Sequence, residues 1–183
     1  MDRGSPFVFN REDVPRQAGS RLSSQTLELT KTSTSFLGNM EYALTITDVA
    51  DEEIRKSILA PLVAYNDSQA GPSQGRPLVI QVKDKTEVVI GGLWGYTGYG
   101  WLFTQLLVVP ASLRGQGIGT KLMQLAESES MARGCHAAWL DTFEFQARAF
   151  YERIGYVCFG ELPNYPTGFS RFFMKKEFKG VAQ

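Results

Sequence analysis

"LRGQGIGTKLM", residues 113–123, places three glycines at alternate positions and then turns apolar at helical spacing. Each glycine inside a helix costs roughly 0.5–1 kcal/mol relative to alanine. Glycines at a helix start therefore point to a need for bare backbone. The stretch follows an apolar, strand-like run, "FTQLLVVP", and opens a helical pattern that continues to Arg133. A helix N-terminus carries unpaired N–H groups and the positive end of the helix dipole. That combination suits a phosphate. Gly115, Gly117 and Gly119 clear the approach to the backbone, Arg114 adds a cation able to bond phosphate with two donors, and Gln116 and Thr120 are further donors.

Two familiar phosphate patterns fail here. The P-loop requires GxxxxGK[ST], but the lysine of "GIGTK" follows Thr120. The dinucleotide pattern GxGxxG fails because Thr120 stands where the third glycine belongs. A glycine-rich turn that only packs a helix on a sheet is the plainer alternative.

Outward from the motif, "YALTITDV", "LVIQVKD", "TEVVIGGLWGYTG", "GWLFTQLLVVP", "HAAWLDT", "YVCFGEL" and "GFSRFFMKKEF" read as strands. "DEEIRKSILAPLVAYN" reads as a helix with Ile54, Ile58 and Leu62 on one face, kinked or split at Pro61. "DSQAGPSQGRP" reads as a loop, and a tight turn is expected around Asp84-Lys85. "FQARAFYERIG" reads as a short helix ended by Gly155. The order β-α-β-β-β-α-β-α-β-β specifies a mixed α/β sheet. Both strand–helix–strand passages around the motif predict parallel neighbours, and the hairpins predict antiparallel ones.

Residues 1–39 are rich in Ser, Thr, Arg and Gly, without a sustained period. They are expected to be a mostly disordered upstream extension, although "PFVFN" could pair as a strand. The domain is expected over 40–178, with a short tail at 179–183. The formal net charge of zero gives no basic field for nucleic acid or anionic lipid. Cys135 and Cys158 lack metal-like spacing and read as reduced thiols of a cytoplasmic protein. The single histidine, His136, excludes a histidine-rich metal site. No apolar run reaches the ~18 residues of a membrane span.

"RGQGIG", Arg114 to Gly119, resembles the [QR]xxGx[GA] acetyl-CoA motif of the GNAT N-acetyltransferase superfamily. "AFYERIGY", Ala149 to Tyr156, is similar to that family's later signature. The resemblance covers Met40 to about Phe178. It implies a single mixed, centrally splayed sheet of about six to seven strands with helices on both faces. It implies acetyl-CoA as co-substrate, without metal. The pyrophosphate would lie over Arg114, Gly115, Gln116, Gly117, Ile118, Gly119 and Thr120. The pantetheine arm would pair with the backbone of Leu107, Val108 and Val109.

In this family the tyrosine matching Tyr151 protonates the leaving thiolate, a role that suits a phenol. A core tyrosine on an amphipathic helix is the plainer reading. A backbone N–H at Leu107 or Val108 would hold the oxyanion. Several relatives carry a carboxylate where Gln105 stands, and glutamine cannot take a proton at neutral pH. Asp141, Glu144 or a relayed water would then be the base, although Asp141 also reads as a helix cap and Glu144 as a helix-start carboxylate.

The acceptor would be lined by Trp94, Tyr96, Tyr99, Gln105 and Tyr165, with Trp101 an ordinary core aromatic. The expected activity is acetylation of a small-molecule amine. An acyl-CoA-binding sensor without efficient turnover and a protein N-acetyltransferase are the alternatives. Family members often dimerise, and the sequence leaves a homodimer open.

Overall fold

The computed structural model describes residues 32–37 and 40–179. These fall into two compact units, divided between Pro72 and Ser73. The first holds an antiparallel hairpin of β1 (Thr32–Leu37) and β2 (Met40–Thr45), followed by α1 (Glu52–Ala70). Asp51 caps α1, its carboxylate accepting from the N–H groups of Glu53 and Ile54 at 2.7 and 3.1 Å. Gly71, at φ 71°, ends it. Pro61 lies inside α1, which runs on as one helix and takes Asp67–Ala70 from the expected loop. Residues 1–31, 38–39 and 180–183, including "PFVFN" and most of both expected tails, lie outside the described residues. Thr32–Leu37, inside the segment read as an extension, pairs with β2.

The second unit is a six-stranded open sheet in the order β3-β4-β5-β6-β8-β7. Its strands are β3 (Arg76–Lys83), β4 (Val89–Gly98), β5 (Trp101–Val108), β6 (Ala137–Phe143), β7 (Val157–Leu162) and β8 (Arg171–Glu177). The mixed α/β architecture agrees with the sequence reading. The turn between β3 and β4 is closed by Asp84, whose carboxylate accepts from both N–H and hydroxyl of Thr86 and from the N–H of Val88.

Among the described residues one parallel pairing occurs, between β5 and β6, and it is bridged by α2 (Ile118–Ala132). The second strand–helix–strand passage behaves differently from expectation. β6, α3 (Arg148–Arg153) and β7 follow in sequence, but β8 lies between β6 and β7 and pairs antiparallel with both. The final hairpin folds back into the slot, so β6 and β7 run parallel without touching.

Register divides the sheet into two faces. Leu78, Leu93, Leu102, Ala138, Leu140, Phe172 and Met174 form one core cluster with Leu122, Met123 and Ala126 of α2 and Tyr151 of α3. Both helices therefore cover the same face. The buried stripe of α2 repeats at three- and four-residue steps, as an amphipathic helix requires. On the same face of α2, Glu127 forms an ion pair with Lys176 of β8 at 2.7 Å, beside Tyr156. Burial, then the charge of Glu127, pushes the Tyr156 hydroxyl well above the ordinary tyrosine range.

Candidate active site

The site begins where the central pair of strands parts. β5 and β6 are in register from Trp101–Ala137 to Thr104–Leu140, and no further. β5 nevertheless continues to Val108, paired with β4, and β6 to Phe143, paired with β8. The two strands thus open a gap inside the sheet, with Leu106, Leu107 and Val108 along one side and Asp141, Thr142 and Phe143 along the other.

A β-bulge marks the same place. Trp94 pairs with Leu106 and Gly95 with Thr104, so Gln105 is the extra residue. A Cβ at Gly95 would strike the carbonyl oxygen of Phe103, so this bulge requires glycine opposite it. Gln105 is half-buried where the two strands part.

Beyond the gap the chain passes Pro110, makes a 3-10 turn at Ala111–Leu113 and enters the glycine stretch. Gly115 and Gly117 have φ of 72° and 77°, a region that side chains rarely adopt. Added Cβ atoms there would meet nothing within 4 Å, so the turn faces open space. The first amides of α2, on Ile118, Gly119 and Thr120, have no intrahelical acceptor. Arg114 is anchored by a bond from Nε to the Val109 carbonyl at 3.1 Å, which ties it to the end of β5. The Gln116 side chain donates instead to the Ser112 carbonyl at 3.0 Å, so the expected Gln116 side-chain donor is already engaged in its own turn. Gly119 serves a different purpose: a Cβ there would lie 3.3 Å from Phe150 Cζ and 3.7 Å from Val109 Cγ2. The first turn of α2, the start of α3 and the chain leaving β5 meet at that glycine.

Tyr151 follows Phe150 on α3, on the core face of the sheet. Tyr151 is 6% exposed, and its ring lies 5.1 Å from that of Phe150 and 5.9 Å from that of Tyr156. Burial first, and the Asp141 charge second, push its phenol above the ordinary tyrosine value. At neutral pH the hydroxyl holds its proton.

The carboxylates are placed less simply. Asp141 faces the side of the sheet opposite the helices and is bound by Arg171. The guanidinium Nε and Nη2 both reach its Oδ2, at 2.8 and 2.6 Å, with both side chains largely buried. The expected roles of Asp141 as helix cap or free base give way to this ion pair. Sequence reasoning did not single out Arg171, because only the β6–β8 pairing brings it beside Asp141. Its guanidinium also lies 5.3 Å from the Phe143 ring centre and 5.6 Å from that of Tyr165. Glu144 is exposed at the end of β6, and its Oε2 accepts from the Ser170 N–H at 3.0 Å.

Of the expected acceptor residues, Tyr165 stands beside Phe143 and Arg171 at the open end of β6, and Trp94 and Gln105 flank the bulge. Tyr96 is one rung further, its ring against Phe103 at 5.4 Å. Tyr99 is not brought to the gap. It occupies the β4–β5 turn at φ 50°, at the paired end of β5, about 13 Å short of Gln105 at ~3.3 Å per residue from Trp101. Cys135 and Cys158 are free thiols. Among the described residues no helix is long and apolar enough to cross a membrane, and no three metal-ligating side chains cluster.

The model of the acetyltransferase (GNAT) family matches residues 45–156. Acetyltransferase Atu2258 of Agrobacterium fabrum is 44% identical over 133 residues, spanning 73% of this chain and 97% of that protein. Blasticidin-S acetyltransferase of Streptomyces morookaense is 39% identical over 88 residues, 48% of this chain and 65% of that one. A crystal structure from Agrobacterium tumefaciens superposes with a TM-score of 0.71 at 44% identity, over 74% of this chain and 98% of its own.

Proposed function

Because this chain belongs to the acetyltransferase (GNAT) family, we propose that it moves the acetyl group of acetyl-CoA to the primary amine of a small molecule by direct attack in a ternary complex. The observation that carries this reading is the gap beyond Thr104–Leu140, which ends on the glycine turn of α2. An extended pantetheine arm can pair with the free side of Leu106–Val108 as an added strand. Its pyrophosphate then reaches the open amides of residues 115–120 and the anchored Arg114. The acceptor enters past Gln105, Phe143 and Tyr165. The resemblance to a protein named for acetylating blasticidin S supports a small-molecule acceptor.

The chemistry follows from the positions. The neutral amine attacks the thioester carbonyl carbon, and a C–N bond forms. The displaced π pair moves to oxygen, next to a β5 backbone N–H. As the C–S bond breaks, Tyr151 gives its proton to the departing sulfur. The proton lost by nitrogen leaves through water past Glu144, and Tyr151 recovers one from solvent. Asp141, held by Arg171, shapes the acceptor side of the gap.

Free coenzyme A thiol, followed for a panel of small amines with acetyl-CoA, tests the reading. Amine-dependent thiol release and an N-acetylated product are expected. Tight coenzyme A binding with no turnover above background would leave an acyl-CoA-binding module instead. Gly117→Val places a branched side chain in the left-handed region and in the proposed phosphate space. It should raise the acetyl-CoA dissociation constant about tenfold or more, by titration calorimetry, from the loss of the phosphate contacts. An unchanged constant removes the glycine turn from the cofactor site.

A further inference from the structure

Thr104 is the last residue of β5 in register with β6, so it stands at the closed end of the gap. Register with Leu102 and Leu140 puts its side chain on the face covered by α2 and α3, the face that carries Tyr151. Thr104 is 4% exposed, and its Oγ1 is buried without a hydrogen-bond partner. The buried threonines of the adjoining strands differ. Thr97 Oγ1 donates to the Arg76 carbonyl, and Thr142 Oγ1 bonds Gln146.

An unpartnered buried hydroxyl opposes folding, and valine has the same shape without that cost. A polar atom that weakens the fold at the point where two strands divide calls for a partner that arrives later. The chemistry proposed above supplies one. When the amine attacks, the carbonyl oxygen in the gap gains a full negative charge beside strand β5.

We propose that Thr104 is a catalytic residue whose Oγ1–H donates to that developing oxyanion, joining the backbone N–H of β5. The proposal rests on the acetyl-transfer reading. The π pair that moves to oxygen on C–N bond formation is held by the two donors. It returns to re-form the C=O bond as the C–S bond breaks, and the sulfur leaves with the Tyr151 proton. Thr104 neither gains nor loses a proton overall. With no competing bond to break, its hydroxyl is free to turn toward the charge, and in a dry site such a donor acts strongly.

The test compares the full chain with Thr104→Val and Thr104→Ser in the thiol-release assay, alongside thermal melts. Thr104→Val should lower kcat about a hundredfold, as loss of one oxyanion donor does. The KM for acetyl-CoA should stay close to wild type, and the melting temperature should hold or rise. Thr104→Ser, which keeps the hydroxyl, should recover most of kcat. A Thr104→Val enzyme with wild-type kcat and a raised melting temperature would overturn the proposal. So would a Thr104→Ser enzyme as slow as Thr104→Val, since the methyl group would then be what matters. Absence of amine-dependent turnover in the unsubstituted protein would be the distinct failure of the acetyl-transfer reading, and both would fall.

Discussion

Tyr151→Phe is expected to lower kcat about a hundredfold or more while leaving acetyl-CoA affinity near wild type. The substitution removes one oxygen from a ring that is otherwise packed between Phe150 and Tyr156, so the α3 packing survives. Only the proton delivered to sulfur is lost. A split between kcat and binding identifies a group that acts in the transition state. Equal turnover in Tyr151→Phe would remove Tyr151 from the mechanism.

The pH dependence adds a second check. Burial and the Asp141 charge raise the phenol above its ordinary value, so it stays protonated through the neutral range. Folding favours the protonated phenol. Its stabilising contribution is complete below the unfolded value of about 10 and is lost as pH climbs past it toward the folded value. Tyr156 is raised in the same direction, so wild-type melting temperatures should decline above roughly pH 10.

Lys176→Met is expected to destabilise the second unit by about 3 kcal/mol or more. Glu127 lies on the buried face of α2, and Lys176 supplies the one ion pair described for it, at 2.7 Å. Its other oxygen, Oε1, already lacks a hydrogen-bond partner, as does Tyr156 Oη. Removing the ammonium leaves a buried carboxylate with no opposing charge, whereas removing both partners does not. Glu127→Leu combined with Lys176→Met should therefore recover most of the loss. Chemical denaturation of the single and double variants measures the difference. A single variant within about 0.5 kcal/mol of wild type would mean the pair is effectively solvated.

The glycine stretch was legible because its signal is local. Three glycines, a preceding apolar strand and a following helical period lie within one window. The order of elements was legible for the same reason. What escaped depends on contacts distant in sequence. Nothing in "YVCFGEL" or "GFSRFFMKKEF" says that the second inserts beside "HAAWLDT", because both read as strands and the pairing partner is distant in sequence. The Asp141–Arg171 pair follows from that insertion and was hidden with it. Gln105 could be seen as an oddity of type, but not as a bulge residue, since a bulge is a mismatch between two strands. Tyr99 was grouped with Trp94 through closeness in sequence, but it lies in the turn just past the end of β4. Pro61 was read as kinking or splitting its helix, and α1 runs through it as one nineteen-residue helix, so no split occurs.

The parting of β5 and β6 also reaches beyond catalysis. It leaves an interior edge, a length of sheet with no strand on one side. On the proposed reading that edge is completed by the acyl donor, which can pair with the folded chain and not with the unfolded one. Mass action then links the two: at a hundred times its dissociation constant, the ligand would add about 2.7 kcal/mol to folding. The protein's lifetime against proteases would rise and fall with the local supply of acetyl-CoA, so that the pool feeding the reaction would also set the abundance of its catalyst.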